Sequence, residues 1–218
     1  MVYVYYHIYA VDGIESIVSE QLDLLKSKFD FEYNLNIGIS VANKNTSTKK
    51  LLSLLDKTKI RDVRAEGHEF TTLELIESDI HKFNDSDYIF YFHTKGASKL
   101  KDSNYENIED WRNLMMYFNV EKVKDVFAIF QRTKYNTFGC EFDTTLSGIQ
   151  FYSGNFWWAK ADYIKTINLE NIKRNRFDAE LNFIQKGQNW KPYSIFNSRQ
   201  NIEFFHYKER FPKEKYKI

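Results

Sequence analysis

Two short segments of the 218-residue sequence set a glycine beside ionisable side chains: Glu66-Gly67-His68-Glu69 and His93-Thr94-Lys95-Gly96. A glycine lets the backbone come close to a ligand, and a lysine supplies a mobile point charge suited to phosphate. The chemistry they suggest is the holding of a phosphorylated substrate. The Gly-x-x-x-x-Gly-Lys-[Ser/Thr] spacing of a Walker loop is missing, so a P-loop is excluded. Aromatic residues are in excess, with 15 Tyr, 19 Phe and 4 Trp. Flat, amphipathic rings fill cores, and they also line sites for nucleobases and sugars.

The elements that must position these groups read as alternating strands and helices. Residues 2–10 are rich in β-branched and aromatic types, a strand signature. Ile14, Ile17, Val18, Leu22, Leu25 and Phe29 recur at three- and four-residue spacing along one helical face. A second strand is expected over 35–41, a short helix carries Leu51, Leu52, Leu54 and Leu55, and a short third strand contains Val63. Thr71-Thr72-Leu73-Glu74 fits a capping box that starts the next helix. Residues 88–92 form an uninterrupted apolar run suited to the middle of a parallel sheet. Beyond them, a capping box at 103–106, a helical stripe from Ile108 to Phe118, a helix over 123–130, a strand over 146–152, a helix over 178–185 stopped by Gly187, and a final strand over 202–207 are expected. The series implies right-handed crossovers and a single α/β domain with a Rossmann-like, mostly parallel central sheet flanked by helices.

In such sheets ligands bind beyond the carboxyl ends of the strands. That rule selects residues 9–13, 65–71 and 93–99, and so includes both glycine-bearing segments. Composition narrows the classes further. With 31 Lys plus Arg against 30 Asp plus Glu, the net charge of +1 gives no cationic field for nucleic acid. The apolar runs fall far short of the ~20 residues of a membrane-spanning helix. No secretory leader is legible, and the lone Cys140 rules out an internal disulfide or a Cys-rich zinc site, which predicts a cytoplasmic protein.

Three motifs taken together go further. Tyr91-Phe92-His93-Thr94-Lys95-Gly96, then Trp111-Arg112-x-x-Met115-x-x-Phe118, then Ser153-Gly154-Asn155-Phe156-Trp157-Trp158-Ala159 resemble a group of short glycosyltransferase-like proteins related to the GT-A fold, over residues 60–165. The resemblance implies one GT-A-like domain over 1–218, with 1–100 the nucleotide-sugar-binding half and 101–218 the acceptor-side half. It implies a UDP- or GDP-linked sugar donor and a glycan or other hydroxyl acceptor. The GT-A relatives commonly carry Asp-x-Asp, holding Mn²⁺ or Mg²⁺, where this chain has His93-Thr94-Lys95. The departure implies donor binding without metal, or with metal held by other groups, for which Asp85, Asp87 and His206 are the candidates.

Displacement at an anomeric carbon needs stabilisation of the departing diphosphate and, for inversion, a carboxylate to take the acceptor's proton. Lys95 and His93, with Thr94 and Gly96, are expected in the first role, and Glu180, with Asp178 beside it, in the second. A competing role for Glu180 is to complement a helix N-terminus, worth ~0.3–1 kcal/mol. His7 and Tyr9 are expected at the base, and Glu66, His68 and Glu69 at the donor sugar or ribose. Ser153, Asn155, Trp157 and Trp158 are expected at the acceptor, because adjacent residues of an extended segment face opposite ways and one indole should reach the cleft. A non-catalytic carbohydrate- or nucleotide-binding module and a nucleotidyltransferase are the alternatives.

Overall fold

The computed structural model describes residues 1–43, 46–65, 67–143, 149–168, 170, 172–198 and 205–217. The first half runs β1 (Val2–Ala10), α1 (Glu15–Lys28), β2 (Tyr33–Val41), α2 (Lys49–Leu54), β3 (Ile60–Ala65), α3 (Phe70–Asp79) and β4 (Tyr88–His93). Then come α4 (Tyr105–Met116), a π-helical turn over Tyr117–Glu121, and α5 (Val123–Arg132). The rest comprises β5 (Thr137–Gly139), β6 (Phe142–Asp143), β7 (Phe151–Tyr152), β8 (Trp157–Lys160), α6 (Ala161–Ile164), α7 (Arg176–Leu181), β9 (Pro192–Ser194) and α8 (Phe205–Lys208).

Among the described residues seven strands form one sheet in the order β3-β2-β1-β4-β8-β5-β9. β1 to β4 are mutually parallel, β8 runs antiparallel to both β4 and β5, and β9 lies parallel to β5. The fold is therefore α/β with a mostly parallel central sheet, as the alternating pattern predicts. β6 and β7 pair separately as a small antiparallel ribbon.

Period-two patterning divides the core into two layers. Val4, Tyr6 and Ile8 of β1 and Phe90 and Phe92 of β4 pack with α1, α2, α4 and α5, whereas Tyr5, Ile89 and Tyr91 pack with α3, α6 and α7. The handedness of crossovers explains the division. From β1 to β2 to β3 the chain moves one way across the sheet with its helices on one face. It then jumps back past β1 to reach β4, and a right-handed crossover in that direction carries α3 on the opposite face.

Several local expectations change. α3 begins at Phe70, and its N-cap residue Glu69 makes no side-chain capping bond. Thr71 and Thr72 are drawn into the sheet instead: Thr71 Oγ1 lies 2.9 Å from Ser40 Oγ and Thr72 Oγ1 lies 3.0 Å from His7 Nδ1. The box at 103–106 fails similarly, since α4 starts at Tyr105 after an Asn104 that makes no capping bond, and Glu106 pairs with Arg210. The strand over 146–152 is Phe151–Tyr152 within the described residues, with 146–148 outside them. Of the expected strand over 202–207, residues 202–204 lie outside the description and Phe205 opens a helical turn. The helix over 178–185 starts earlier, at Arg176, and breaks after Leu181 before a 3-10 turn over Ile184–Lys186.

Candidate functional site

β1 and β4 are neighbours whose following helices α1 and α4 start from the point where the strand order reverses. In an open α/β sheet that reversal leaves a crevice beyond the carboxyl ends of the strands. The parallel register sets His7 beside His93 there. Thr94 laces the two ends together: its N–H donates to the His7 carbonyl at 3.0 Å, and its hydroxyl accepts from the Tyr9 N–H at 2.9 Å.

Lys95 follows, and it is only 7% exposed. Its carbonyl accepts from Arg112 Nη1 at 3.0 Å, which ties the loop to α4. Its ammonium lies 4.0 Å from the centroid of the Trp111 ring and 3.6 Å from Glu180 Oε1. Gly96, at φ +89°, makes the turn into a short 3-10 helix over Ala97–Lys99; a Cβ there would sit 2.8 Å from Ile108 Cγ2.

Opposing effects set the charges. Burial by itself lowers the pKa of Lys95, but the Glu180 carboxylate, with Tyr207 and Glu69, outweighs it and holds the ammonium above its ordinary value. Burial likewise raises that of Glu180, yet Lys95, assisted by His93, the Gly154 N–H and Arg176, carries it below the usual carboxylate value. Both groups are ionised at neutral pH. Oε1 of Glu180 also accepts from the Gly154 N–H at 3.3 Å.

His93 Nε2 donates to the Gly154 carbonyl at 2.9 Å, which fixes the tautomer, and Nδ1 lies 3.9 Å from Glu69 Oε1. Burial, with Lys95 nearby, lowers the pKa of His93 despite Glu69. His7 is driven well below its ordinary value by burial and by His93 and His68. Glu69 Oε2 accepts from the Tyr91 hydroxyl at 3.1 Å and from Asn155 Nδ2. The result is a buried electrostatic cluster assembled from β1, α3, β4, the loop before β8, and α7. Buried titratable groups with perturbed pKa values, gathered at the carboxyl ends of adjacent strands, make this cluster the candidate site.

A family model described as a domain of unknown function (DUF8361) matches residues 5–212. The chain belongs to that family. No curated protein matches the sequence. Among solved structures, a crystal structure of 4-diphosphocytidyl-2C-methyl-D-erythritol synthase is similar over 82% of this chain and 83% of that one, at 10% identity and a TM-score of 0.35. Similarity that slight leaves the chemistry of this DUF8361 chain to its own residues.

The expected residues divide accordingly. His7, Glu69, His93, Thr94, Lys95, Gly96 and Glu180 converge at the β4 end. Tyr9 contributes through its backbone. His68 stands aside, lining a hollow of about 180 Å³ with Arg64, Gly67, Thr71 and Arg174. Glu66 lies outside the described residues. A larger hollow of about 700 Å³ opens between α1, α4 and residues 212–214; it carries Glu20, Asp23, Asp110, Glu121 and Glu214 against Lys213, so its field opposes a diphosphate. Lys95 lines neither hollow.

Four placements in this DUF8361 chain correct the reading of the sequence. Asp178 does not join Glu180: two residues apart on a helix they face opposite ways, and its carboxylate accepts from Asn175 Nδ2 at 2.9 Å and from Asn182. Trp157 and Trp158 do face opposite ways, but both are 0% exposed, because β8 lies between β4 and β5 with a core layer on each side. Trp158 stacks on Phe90 with centroids 4.6 Å apart, and Trp157 stacks on Tyr91 at 5.2 Å. Asn155 is committed within the protein, donating to Glu69 and the Ala179 carbonyl and accepting from Trp157 Nε1. Ser153 donates its N–H to the Glu141 carbonyl at 2.9 Å on the way to that turn.

The metal candidates are likewise dispersed. Asp85 and Asp87 precede β4, at the rim opposite Lys95, where Asp85 pairs with Lys165 at 2.6 Å and Asp87 accepts from the Asn84 N–H at 2.7 Å. His206 meets Glu141 at 3.2 Å and stacks on Trp111 at 5.0 Å. Among the described residues no three His, Cys, Asp or Glu side chains converge to hold a cation. The β4 end does not fit a divalent ion either, since an ammonium already neutralises Glu180. Sequence reasoning missed Arg112, Tyr91 and Arg176 as parts of this cluster. Trp111 was legible as a helical stripe position and as the start of the second motif, but not as the ring beneath the Lys95 ammonium.

Proposed function

We propose that this chain is a glycosyltransferase that takes a sugar from a nucleoside diphosphate donor and passes it to a hydroxyl acceptor, without a divalent cation at the diphosphate. The observation that carries the reading is the pairing of buried Lys95 with half-buried Glu180 at the sheet's switch point. The resemblance of the three motifs to GT-A-related proteins supports it.

In the resting protein Glu180 occupies the ammonium that the diphosphate needs. A donor diphosphate brings more negative charge than one carboxylate and competes for Lys95. Once displaced, Glu180 loses the cation that holds its pKa down and becomes a stronger base. The chemistry is then a displacement at the anomeric carbon. The acceptor oxygen forms the new bond, its proton passes to Glu180, and the bond to the diphosphate breaks with its electron pair leaving on the nucleoside diphosphate. Lys95 stabilises that departing charge in a water-poor site, where a fixed cation acts most strongly. Glu69, Asn155 and His93 are positioning residues: they hold the Gly154 turn that presents its N–H to Glu180.

The test is thermal stabilisation by UDP, GDP and their sugars, with and without Mn²⁺, followed by nucleoside diphosphate release in the presence of acceptor. A shift that persists in chelator and disappears in Lys95→Ala is expected. No shift with any nucleotide overturns the reading. The near-complete burial of Lys95 favours one second reading, a non-catalytic nucleotide- or carbohydrate-binding module, for which binding without product release is the mark. Pyrophosphate as product would instead identify nucleotidyl transfer.

A further inference from the structure

With both indoles of the Trp157-Trp158 pair sealed in the core, the aromatic surface available to a ring-shaped acceptor must come from elsewhere. α7 supplies it. Phe177 is 74% exposed, more than any other large apolar side chain among the described residues. It stands three residues before Glu180, a spacing that makes the two side chains neighbours on a helix surface, with Cβ atoms ~5–6 Å apart. Arg176, also exposed, is close enough to bear on the charges of both Lys95 and Glu180. Arg176 and Glu180 therefore both lie on the side of α7 nearest Lys95, and Phe177 flanks them on the solvent side. The buried side of α7 is marked by Ala179, at 1% exposed, which keeps the helix seated while Phe177 projects outward.

Resting on the transferase reading above, we propose that Phe177 is the platform on which a pyranose ring of a glycan acceptor stacks, so that its hydroxyl meets the Glu180 carboxylate. The apolar C–H face of a pyranose packs on an aromatic ring, and its equatorial hydroxyls point outward to polar neighbours. Arg176 is the donor beside the platform for those hydroxyls. An ordinary core role does not account for a phenylalanine that leaves three quarters of its surface in water one turn from the site's carboxylate.

The experiment measures binding of maltohexaose, cellohexaose and chitohexaose to wild-type protein, Phe177→Ala and Phe177→Trp by calorimetry without donor. It is run alongside the donor-induced thermal shift. Expected is binding of at least one oligosaccharide, weakened about tenfold or more in Phe177→Ala and retained in Phe177→Trp. The melting temperature and the nucleotide-sugar shift of Phe177→Ala should match wild type, because the ring lies mostly in water. Equal affinity in wild type and Phe177→Ala overturns the platform while leaving the transferase reading intact. Nucleotide-sugar shifts without binding of any hexaose overturn a pyranose acceptor and again spare that reading. Absence of both the shift and the binding removes the reading and the platform together.

Discussion

Lys95 and Glu180 face each other at 3.6 Å, the first delivered by the central strand β4 and the second by the short helix α7. The lysine side chain is 9% exposed and the glutamate 28%. Its ammonium also rests on the Trp111 ring, so the cation is enclosed by a carboxylate and an aromatic face. The pair joins the two halves of the chain at the carboxyl-end rim of the parallel strands.

Breaking this pair from one side leaves a charge with no counterpart. Lys95→Met alone should cost ~1–3 kcal/mol of stability, below the ~3–5 of a fully buried pair because Glu180 keeps contact with water. Glu180→Gln should cost a similar amount. The Lys95→Met/Glu180→Gln double variant should recover most of the loss, a coupling read from urea midpoints. Strictly additive losses would show that the two charges do not sense one another.

Acid should destabilise the protein before its carboxylates titrate. His7 and His93 both have pKa values held below 6.5 by burial, so the unfolded chain binds protons that the native state refuses. The associated stability is present above 6.5 and is lost as pH falls through that value toward the folded pKa values. Each histidine adds a slope of at most ~1.4 kcal/mol per pH unit. Urea midpoints at pH 7.5, 6.5 and 5.5 should fall in that order, and His7→Asn should flatten the fall by about one histidine's share. A slope unchanged by His7→Asn would count against a neutral, buried His7.

Trp157→Phe tests the core placement of the indole. The change leaves Asn155 Oδ1 without its donor and should cost ~1–3 kcal/mol. Acceptor preference should stay as in wild type, since the ring is 0% exposed. An altered acceptor profile with unaltered stability would return Trp157 to the cleft.

Gly96 and Gly13 make an internal comparison. Both have positive φ, +89° and +88°, but a Cβ at Gly96 would lie 2.8 Å from Ile108 Cγ2, whereas one at Gly13 would lie 3.8 Å from Leu100 Cδ1. Gly13→Ala should lose ~1 kcal/mol to the left-handed backbone alone, and Gly96→Ala up to ~3 with the added clash. Because Gly96 abuts Lys95, its variant should also weaken the nucleotide-sugar thermal shift, which Gly13→Ala should leave in place.

The β-α-β-α-β-α-β series was legible in the sequence because its signals are local. A strand such as β1 or β4 shows itself in residue type, and α1 in its three- and four-residue spacing. From those follow the crossovers, the parallel sheet and the rim that carries His93 to Gly96. Strands of three residues such as β5 and β9 leave no such trace, since they exist only through their partners. The capping boxes at 71–74 and 103–106 misled for a related reason: a hydroxyl serves whichever polar group is nearest, and for Thr72 of α3 that is His7 on β1.

Which side chains meet was decided by tertiary structure alone. Alternation correctly turned Trp157 and Trp158 to opposite faces, but it carries no count of layers, and both faces of β8 are covered. Asp178 and Glu180 look equivalent as letters, and a helix separates them by facing one inward and the other away. The 3.6 Å approach of Lys95 to Glu180 and the exposure of Phe177 depend on where α7 seats against the sheet, a matter of packing between distant segments. Local chemistry writes periodicity into a sequence; distance in space is a property of the folded chain.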